Sequence, residues 1–438
     1  MSIGSATSSA AAAAGFAPVM RRAFYHARII GNLAIVQAVI QVLSFLSGIL
    51  IIRSLTQQEY AYFTIANTMQ GTLNLLADIG ISAGVISIGG RVWQERHRFG
   101  ELINTALQLR KRLALIAAAV VIPVLYFLLA RNGAGLLYRS LLVMLVVAGL
   151  VPQLSIGVLS AVPRLRSDIG RIQLIDFTAA ALRLIGILAF IWLLSAATAI
   201  AVAMVTFVIQ FLMLRHYAAG IVDLHASADV EDRQVIVGFI RKLAPNAVFY
   251  CFQGQITVFL ISIFANRVSS VAEVGALGRL AMIFAVLSNL LTNVFIPAFA
   301  RCQRTGKLRL IYAGVIGGVT AFGAGVICLA VLFPTQFLFI LGNSYTHLQG
   351  ELLLMVAGAV LNAIAGAMWG LNSAKGWISG SWMYIPATLI TQVALIPFVD
   401  FSSVAGVLLF NLVSAVPSLF LNVVLTYRGF RSEQPATA

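Results

Sequence analysis

Apolar runs of 18 or more residues recur along the chain, and this recurrence restricts the fold more than any other feature. Each run can cross about 30 Å of hydrocarbon as a helix. A membrane β-barrel would show alternating segments of about ten residues, and these runs do not alternate. Charged residues make up 10% of the chain, against about 25% in soluble domains. The reading is an all-α polytopic membrane protein of about twelve transmembrane helices. The spans fall at 30–52, 61–90, 113–130, 136–159, 173–194, 197–215, 240–264, 274–300, 310–333, 349–372, 382–399 and 404–427. They divide six and six around "GIVDLHASADVEDRQ" (220–234). This gives a disordered tail (1–28), an N-lobe (29–219), a linker (220–239), a C-lobe (240–427) and a second tail (428–438).

Net charge is +15, which in a soluble protein would suggest nucleic acid. Here the basic residues flank apolar runs, so lipid headgroups explain them and no nucleic-acid partner is expected. Of 29 Lys and Arg, 23 fall on the side of the N-terminus. Four (Arg53, Arg131, Arg139 and Arg267) fall on the other side, and Arg183 and Arg279 lie within spans. Both termini are therefore expected in the cytoplasm. "RVWQERHRFGELINTALQLRKR" (91–112) is too polar to span and reads as a basic amphipathic helix along the cytoplasmic face. Cys251, Cys302 and Cys328 have no metal-ligand spacing and read as packing residues. There is no phosphate-binding glycine loop and no His/Cys cluster, so no cofactor, metal or catalytic residue is expected.

The two halves repeat. Shifted by 214 residues and without gaps, Asn32 meets Asn246, Gln41 meets Gln255, Arg53 meets Arg267 and Glu59 meets Glu273. Two homologous six-helix lobes entering the membrane with the same orientation would be related by a twofold axis along its normal. In transporters of that design, substrate binds between the lobes near the midplane. The alternative is chance similarity of two helix–loop–helix units.

Polar stripes mark the first helices of each lobe. Asn67, Gly71, Asn74, Asp78 and Ser82 share one helix face. So do Gln37, Gln41, Ser44 and Gly48; Asn246, Tyr250, Gln253 and Thr257; and Arg279, Met282, Asn289 and Asn293. Span ten adds Asn362, Gly366, Trp369 and Ser373. Such residues can simply hold helices together, but stripes on both members of each repeated pair fit a shared hydrated cavity with a central opening. Charges inside spans are functional candidates. Arg183 and Arg279 suit an anion, because guanidinium binds phosphate through a bidentate fork. Arg183 could instead form a structural pair with Asp176.

The stretch "IIRSLTQQEYAYFTIANTMQGTLNLLADIGISAG" (51–84) resembles the start of bacterial polysaccharide-biosynthesis membrane proteins. These are the lipid-linked oligosaccharide flippases of the multidrug/oligosaccharidyl-lipid/polysaccharide exporter superfamily. Arg53, Glu59-Tyr60-Ala61 and Asp78-Ile79-Gly80 carry the likeness, with Ala61 for the usual Gly and Ile79 for the usual Leu. "NRVSSVAEVGALGRLAMIF" (266–284) and "IPAFAR" (296–301) are similar to the family as well. The resemblance implies flipping of an undecaprenyl-pyrophosphate-linked oligosaccharide across the bacterial inner membrane by alternating access, for exopolysaccharide, capsule or O-antigen assembly. It also implies contact with membrane lipids, a polysaccharide polymerase and a co-polymerase. Arg183, Arg279, Asn67, Asn74, Gln41, Gln253, Asn289 and Asn293 are the candidate cavity residues. Asp78 and Asp176 are candidates for gating or ion coupling. Two rivals are a cation-coupled drug or metabolite exporter of the same superfamily and a major-facilitator carrier. For Asp78, three roles stay open: a hydrogen-bonded structural acid, a latch to the other lobe, or a proton or Na⁺ site.

Overall fold

A computed structural model describes residues 35–166, 168–302 and 305–432; several side chains between 286 and 305, and that of Ser432, lie outside the described set. The N-lobe runs α1 (Ile35–Ser54), α2 (Gln57–Asp78), α3 (Ile81–Val92), α4 (Arg96–Arg131), α5 (Leu136–Leu159), α6 (Ala161–Leu165), α7 (Ile169–Ala189) and α8 (Ala196–Ala219). The C-lobe runs α9 (Val230–Phe264), α10 (Val268–Leu280), α11 (Ile283–Leu290), α12 (Ile296–Arg301), α13 (Thr305–Leu332), α14 (Pro334–Leu341), α15 (Gln349–Ala374), α16 (Tyr384–Leu395), α17 (Val404–Ser414) and α18 (Val416–Ser432). Among the described residues, eleven helices are long and apolar enough to cross a membrane, and the bent pair α2–α3 makes a twelfth. The chain is a multi-pass membrane protein of two lobes. The expected tail over 1–28, Arg21, Arg22, Arg28, Asn32 and Arg304 lie outside the described residues.

Span starts are set by side chains that bind free backbone N–H groups. Thr56 accepts from the Glu59 amide, Ser195 and Thr198 form a reciprocal box, and Ser403 accepts from the Gly406 amide. The repeat persists far beyond the residues that revealed it. Shifted by 214, α5 covers 350–373, and α15 occupies Gln349–Ala374.

Spans two and eight, expected as single helices over 61–90 and 274–300, are both broken. In the N-lobe, α2 and α3 meet at 45° across Ile79–Gly80. Gly80 holds φ of 73°, a left-handed conformation available to glycine at little cost. A shift of 214 carries that break to 293–294, inside a π-helical turn at Leu291–Phe295. The repeat-related helices thus depart from regular α geometry at equivalent positions by different means. Span eight breaks again at 281–282.

The surface helix expected over 91–112 is not there. α4 is one helix of 36 residues, about 54 Å long at 1.5 Å per residue, so its first turns project beyond the apolar layer. Phe99, Leu102 and Ile103 on those turns are fully buried. The polarity of this stretch is taken up by the linker, which folds back along α4. Arg98 donates two hydrogen bonds to Asp232, at 2.6 and 2.7 Å. The Asn104 amide donates to the carbonyls of Leu224 and Ala226. Gly100 lets the linker pass, since a Cβ there would stand 2.1 Å from the Asp223 carbonyl oxygen. Arg110, counted from sequence as a flanking charge, is 3% exposed.

The apolar core shows how the lobes meet. Toward the arginine-poor side, one cluster joins α2, α4, α5 and α8 to α10, α14, α15 and α17. Toward the arginine-rich side there are two clusters. One belongs to the N-lobe with Ile236 of α9 added, and the other gathers Phe299, Tyr312, Leu371 and Trp377 of the C-lobe. The arginine-poor side is also stitched by hydrogen bonds. Arg53 donates to the carbonyls of Phe339 and Ile340, Gln57 to that of Ser344 and Asn132 to that of Ser262. A shared core joins the lobes at the arginine-poor side; toward the arginine-rich side each lobe has its own core, and the start of α9 packs across onto α3 at Gly80 and Gly84.

Candidate functional site

Asp78 ends α2, about 31 Å along a helix that starts at the arginine-poor side. Its carboxylate lies 3.0 Å from a guanidinium nitrogen of Arg110 on α4 and accepts a hydrogen bond from Ser82 at 2.8 Å. Arg110 also donates to Asn74 at 2.9 Å. The guanidinium occupies the space above Gly157, where a Cβ would come within 1.9 Å of it. The partner of Asp78 is thus a base of its own lobe, and the inter-lobe contact envisaged for a latch is not made. Long-chain bases buried this deeply need such a partner, because an uncompensated buried charge is costly.

The centre of the N-lobe holds a cavity of about 230 Å³ between α1, α7 and α8. Asp176, Arg183 and Gln210 line it. Gln210 donates to Asp176 at 3.1 Å, so the acid is held by an amide. The direct Asp176–Arg183 pair is not formed among the described ion pairs. The Arg183 Nε is buried without a hydrogen-bond partner.

Arg279 closes α10, about 17 Å from its start and so near the middle of the bilayer. It reaches across the lobe boundary. Its guanidinium lies over the Phe63 ring at 6.0 Å, against Gly48 of α1, and donates weakly to the Met282 sulfur at 3.9 Å. A Cβ at position 48 would sit 3.4 Å from the guanidinium, an ordinary contact distance, so the arginine packs directly on α1. Among the described residues neither Arg183 nor Arg279 forms an ion pair. Each lobe thus places one arginine deep within its spans without an acidic partner.

The C-lobe holds a larger cavity of about 580 Å³, bounded by α9, α15, α16, α17 and α18. Tyr250, Gln253, Asn362, Trp369, Tyr384 and Asn411 are on its walls. Gln253 and Gln392 exchange two amide hydrogen bonds, at 3.1 and 2.7 Å, and Asn411 donates to Thr257. A second space of about 420 Å³ shares Asn362 and Asn411 with the first and begins at Ala281, two residues along the chain from Arg279.

The candidate residues distribute as follows. Arg183 and Asp176 share the N-lobe cavity, and Gln253 lines the C-lobe cavity. Asn74 binds Arg110, and Asn67 is exposed on the face of α2 that carries Thr64 and Gly71. Gln41 is half-buried on α1 and does not line the N-lobe cavity, although Ile40 and Ser44 beside it do. The side chains of Asn289 and Asn293 lie outside the described residues. Sequence reasoning missed Gln210, Arg110, Tyr384, Gln392 and Asn411. A signal for the last was present: Asn411, Ser414, Ser418 and Asn422 follow the 3–4 spacing of one helix face, and all four line the C-lobe cavity.

No family model matches the chain, and no curated protein matches it. Solved structures do. An inward-facing multidrug-resistance MATE transporter of the MOP superfamily is similar with a TM-score of 0.65 at 15% identity, over 92% of this chain and 100% of that one. A MATE transporter in complex with MaL6 gives 0.63 at 17% identity, over 92% and 95%. A MOP superfamily transporter from Pyrococcus furiosus, described as having a binding pocket of reversed polarity that suggests a different function, gives 0.58 at 15% identity, over 92% and 94%. At these identities the likeness establishes the fold.

Proposed function

We propose that this chain is a secondary transporter that carries an undecaprenyl-pyrophosphate-linked oligosaccharide across the bacterial inner membrane by alternating access, for exopolysaccharide, capsule or O-antigen assembly. One observation carries the reading. Arg183 comes from the N-lobe with its Nε buried and without a hydrogen-bond partner, Arg279 reaches over from the C-lobe onto Phe63, and neither has an ion pair among the described residues. An uncompensated buried charge is costly, so the arrangement is stabilised by an anion that both can reach. A pyrophosphate offers charge and oxygens for guanidinium forks. The arginine-rich side is cytoplasmic in this reading, with both termini there and the polymerase and co-polymerase as partners in the membrane.

Mechanism follows from the way the lobes meet. They share a core at the arginine-poor side and have separate cores at the other, an arrangement that suits the state that loads from the cytoplasm. The seam at the arginine-poor side is made of hydrogen bonds to backbone carbonyls by Arg53, Gln57 and Asn132. Such bonds contribute about 1 kcal/mol each after exchange with water, so the seam can break and re-form. Arg279 spans the boundary, so an anion drawn to it and to Arg183 tightens one lobe on the other. The lipid tail stays in the bilayer.

The test is polymer export in cells that lack their own copy. Arg183→Ala and Arg279→Ala abolish export at normal protein levels, and Lys at either position restores it only in part, because it keeps charge without the fork. Normal export by both alanine variants overturns the pyrophosphate reading. The second reading is a cation-coupled exporter of the same superfamily, favoured by the acid of Asp176 in the N-lobe cavity. It requires that Asp176→Asn uncouple transport from an ion gradient.

A further inference from the structure

The C-lobe cavity differs from the rest of the central space in one respect: none of its described lining residues carries a charge. Its chemistry is amide, hydroxyl and aromatic. Tyr250 and Tyr384 stack with ring centroids 5.1 Å apart and planes within 13°. Trp369, on the α15 wall near that helix's end, is 38% exposed and lines the cavity. Amphipathic rings of this kind, with an apolar face and a polar tip, suit the C–H faces and hydroxyl edges of a sugar ring.

Three further observations point to a ligand. Ser414 is 6% exposed and lines the cavity, yet its hydroxyl has no hydrogen-bond partner. Buried hydroxyls without partners are rare and call for an explanation such as a bound group. Gly254 and Gly366 are on the wall, and a Cβ at either would meet nothing within 4 Å. Side chains were left off where they would have filled the space. The volume of about 580 Å³ lies within the roughly 300–1,000 Å³ usual for ligand sites.

The geometry points to this cavity as the site for an uncharged saccharide, the sugar portion of the substrate whose pyrophosphate the arginines hold. The inference rests on the transport reading above and adds a restriction to it. The adjoining space runs from Asn362 and Asn411 to Ala281, two residues along the chain from Arg279, so the sugar site lies toward the arginine that reaches across the lobes. A hexuronate or other acidic sugar seated here would lose its hydration without a cation to replace it, and burying an unpaired charge is costly. The sugars that enter are therefore neutral, recognised by stacking on Trp369 and by amides such as Asn362. Amides that only held helices together would leave no open aromatic faces and no orphan hydroxyl.

Full-length protein in nanodiscs separates the possibilities with three probes: farnesyl pyrophosphate, and the same lipid bearing a neutral or a hexuronate-containing disaccharide. Binding is followed by calorimetry. The neutral disaccharide tightens binding tenfold or more over farnesyl pyrophosphate, and the hexuronate does not. Trp369→Ala and, separately, the space-filling Gly366→Leu remove that gain while farnesyl pyrophosphate binds as before. An equal gain from the acidic sugar, or a gain that survives both variants, overturns the inference. The free disaccharides, offered without lipid at millimolar concentration, keep the two readings apart. If farnesyl pyrophosphate fails to bind, the pyrophosphate reading falls. The saccharide site then stands if the free neutral sugar binds and Gly366→Leu blocks it, and falls if it does not.

Discussion

Shifting the N-lobe by 214 residues brings α5 onto α15 and carries Asp78, Asp176 and Arg183 onto Thr292, Ile390 and Pro397. The reverse shift carries Asn362 and Trp369 onto Ala148 and Ser155. Each lobe has kept its helices and discarded the other's chemistry. The N-lobe is ionic: Asp78 with Arg110, then Asp176 with Gln210, then Arg183. The C-lobe cavity is neutral, amide-lined and aromatic. A small symmetrical ligand would favour similar residues in both halves. Divergence of this kind suits a ligand with two chemically different parts, one charged and one rich in hydroxyls. It also explains where stability resides. Buried charges in the N-lobe must be compensated by neighbours, whereas uncharged polar residues in the C-lobe can face a cavity with little penalty.

The comparison breaks most visibly at Asp78. Asp78→Ala leaves Arg110, 3% exposed, without its counter-charge. The cost lies toward the lower end of the roughly 3–5 kcal/mol for breaking a buried pair, since the Asp78 side chain is 33% exposed. Thermal unfolding in detergent reads it, and Asp78→Ala with Arg110→Met recovers most of the loss. Asn362→Ala, at an exposed cavity position, leaves unfolding unchanged. A larger loss at Asn362 than at Asp78 would reverse the contrast.

Glu59 and Glu273 sharpen it, because they are the same residue of the repeat. Glu59 accepts from the Tyr138 hydroxyl and from the Ala196 amide at 2.7 Å, tying α2 to the starts of α5 and α8. Glu273 meets His347 at 3.4 Å, and that imidazole is 59% exposed. Glu59→Ala therefore costs about 1.5–3 kcal/mol, and Glu273→Ala, an acid 12% exposed whose partner is largely in solvent, costs less in the same unfolding measurement. Equal costs would mean that the exposed histidine matters more than its setting allows.

A smaller effect is expected where the lobes touch at the arginine-poor side. Arg53 is exposed and bonds two carbonyls of α14, so Arg53→Ala weakens closure by about 1 kcal/mol. Ser262, 2% exposed at the seam with Asn132, reports it. As Ser262→Cys it is labelled by an impermeant maleimide several-fold faster when Arg53 is alanine. Unchanged labelling would mean that α2–α10 packing alone holds the lobes.

The smallest effect concerns acid. Asp223 is held below the usual carboxylate range, first by its hydrogen bond to His97 and then by the His225 amide. A carboxyl lowered in the folded state stabilises it above the unfolded value of about 3.9, and that contribution fades as pH falls through the lower folded value. The protection of amides over 220–229 against exchange, corrected for the intrinsic rate at each pH, thus falls below about pH 4. The C-lobe start of α16 does not change with it.

Much of this architecture was legible in the sequence. Span positions follow from apolar length, and the lobes follow from Asn32, Arg53 and Glu59 recurring at 214 residues. The central arginines stood out because charge inside an apolar run is expensive. What stayed hidden depends on contacts between distant segments. The 91–112 stretch reads as an interfacial helix because its polarity signals water, but the linker supplies Asp223, Asp229 and Asp232 to cover it. For the same reason Arg110 looked like a flanking base, and Asp78 looked unpaired. The C-lobe wall was missed for another reason. Asn411 and Ser414 sit on a helix whose polar face is visible, but without charge it draws no notice.

The most direct test of the account is transport itself. Purified protein is placed in vesicles with a fluorescent prenyl-pyrophosphate-linked neutral disaccharide, and dithionite reports how much label remains in the inner leaflet. Label crosses between leaflets with the unaltered chain. It stops crossing with Arg183→Ala or Arg279→Ala, which keep the same reconstitution and unfolding temperature. Crossing at an undiminished rate in both variants, or none with the unaltered chain, would contradict the claim that arginines of opposite lobes carry the pyrophosphate.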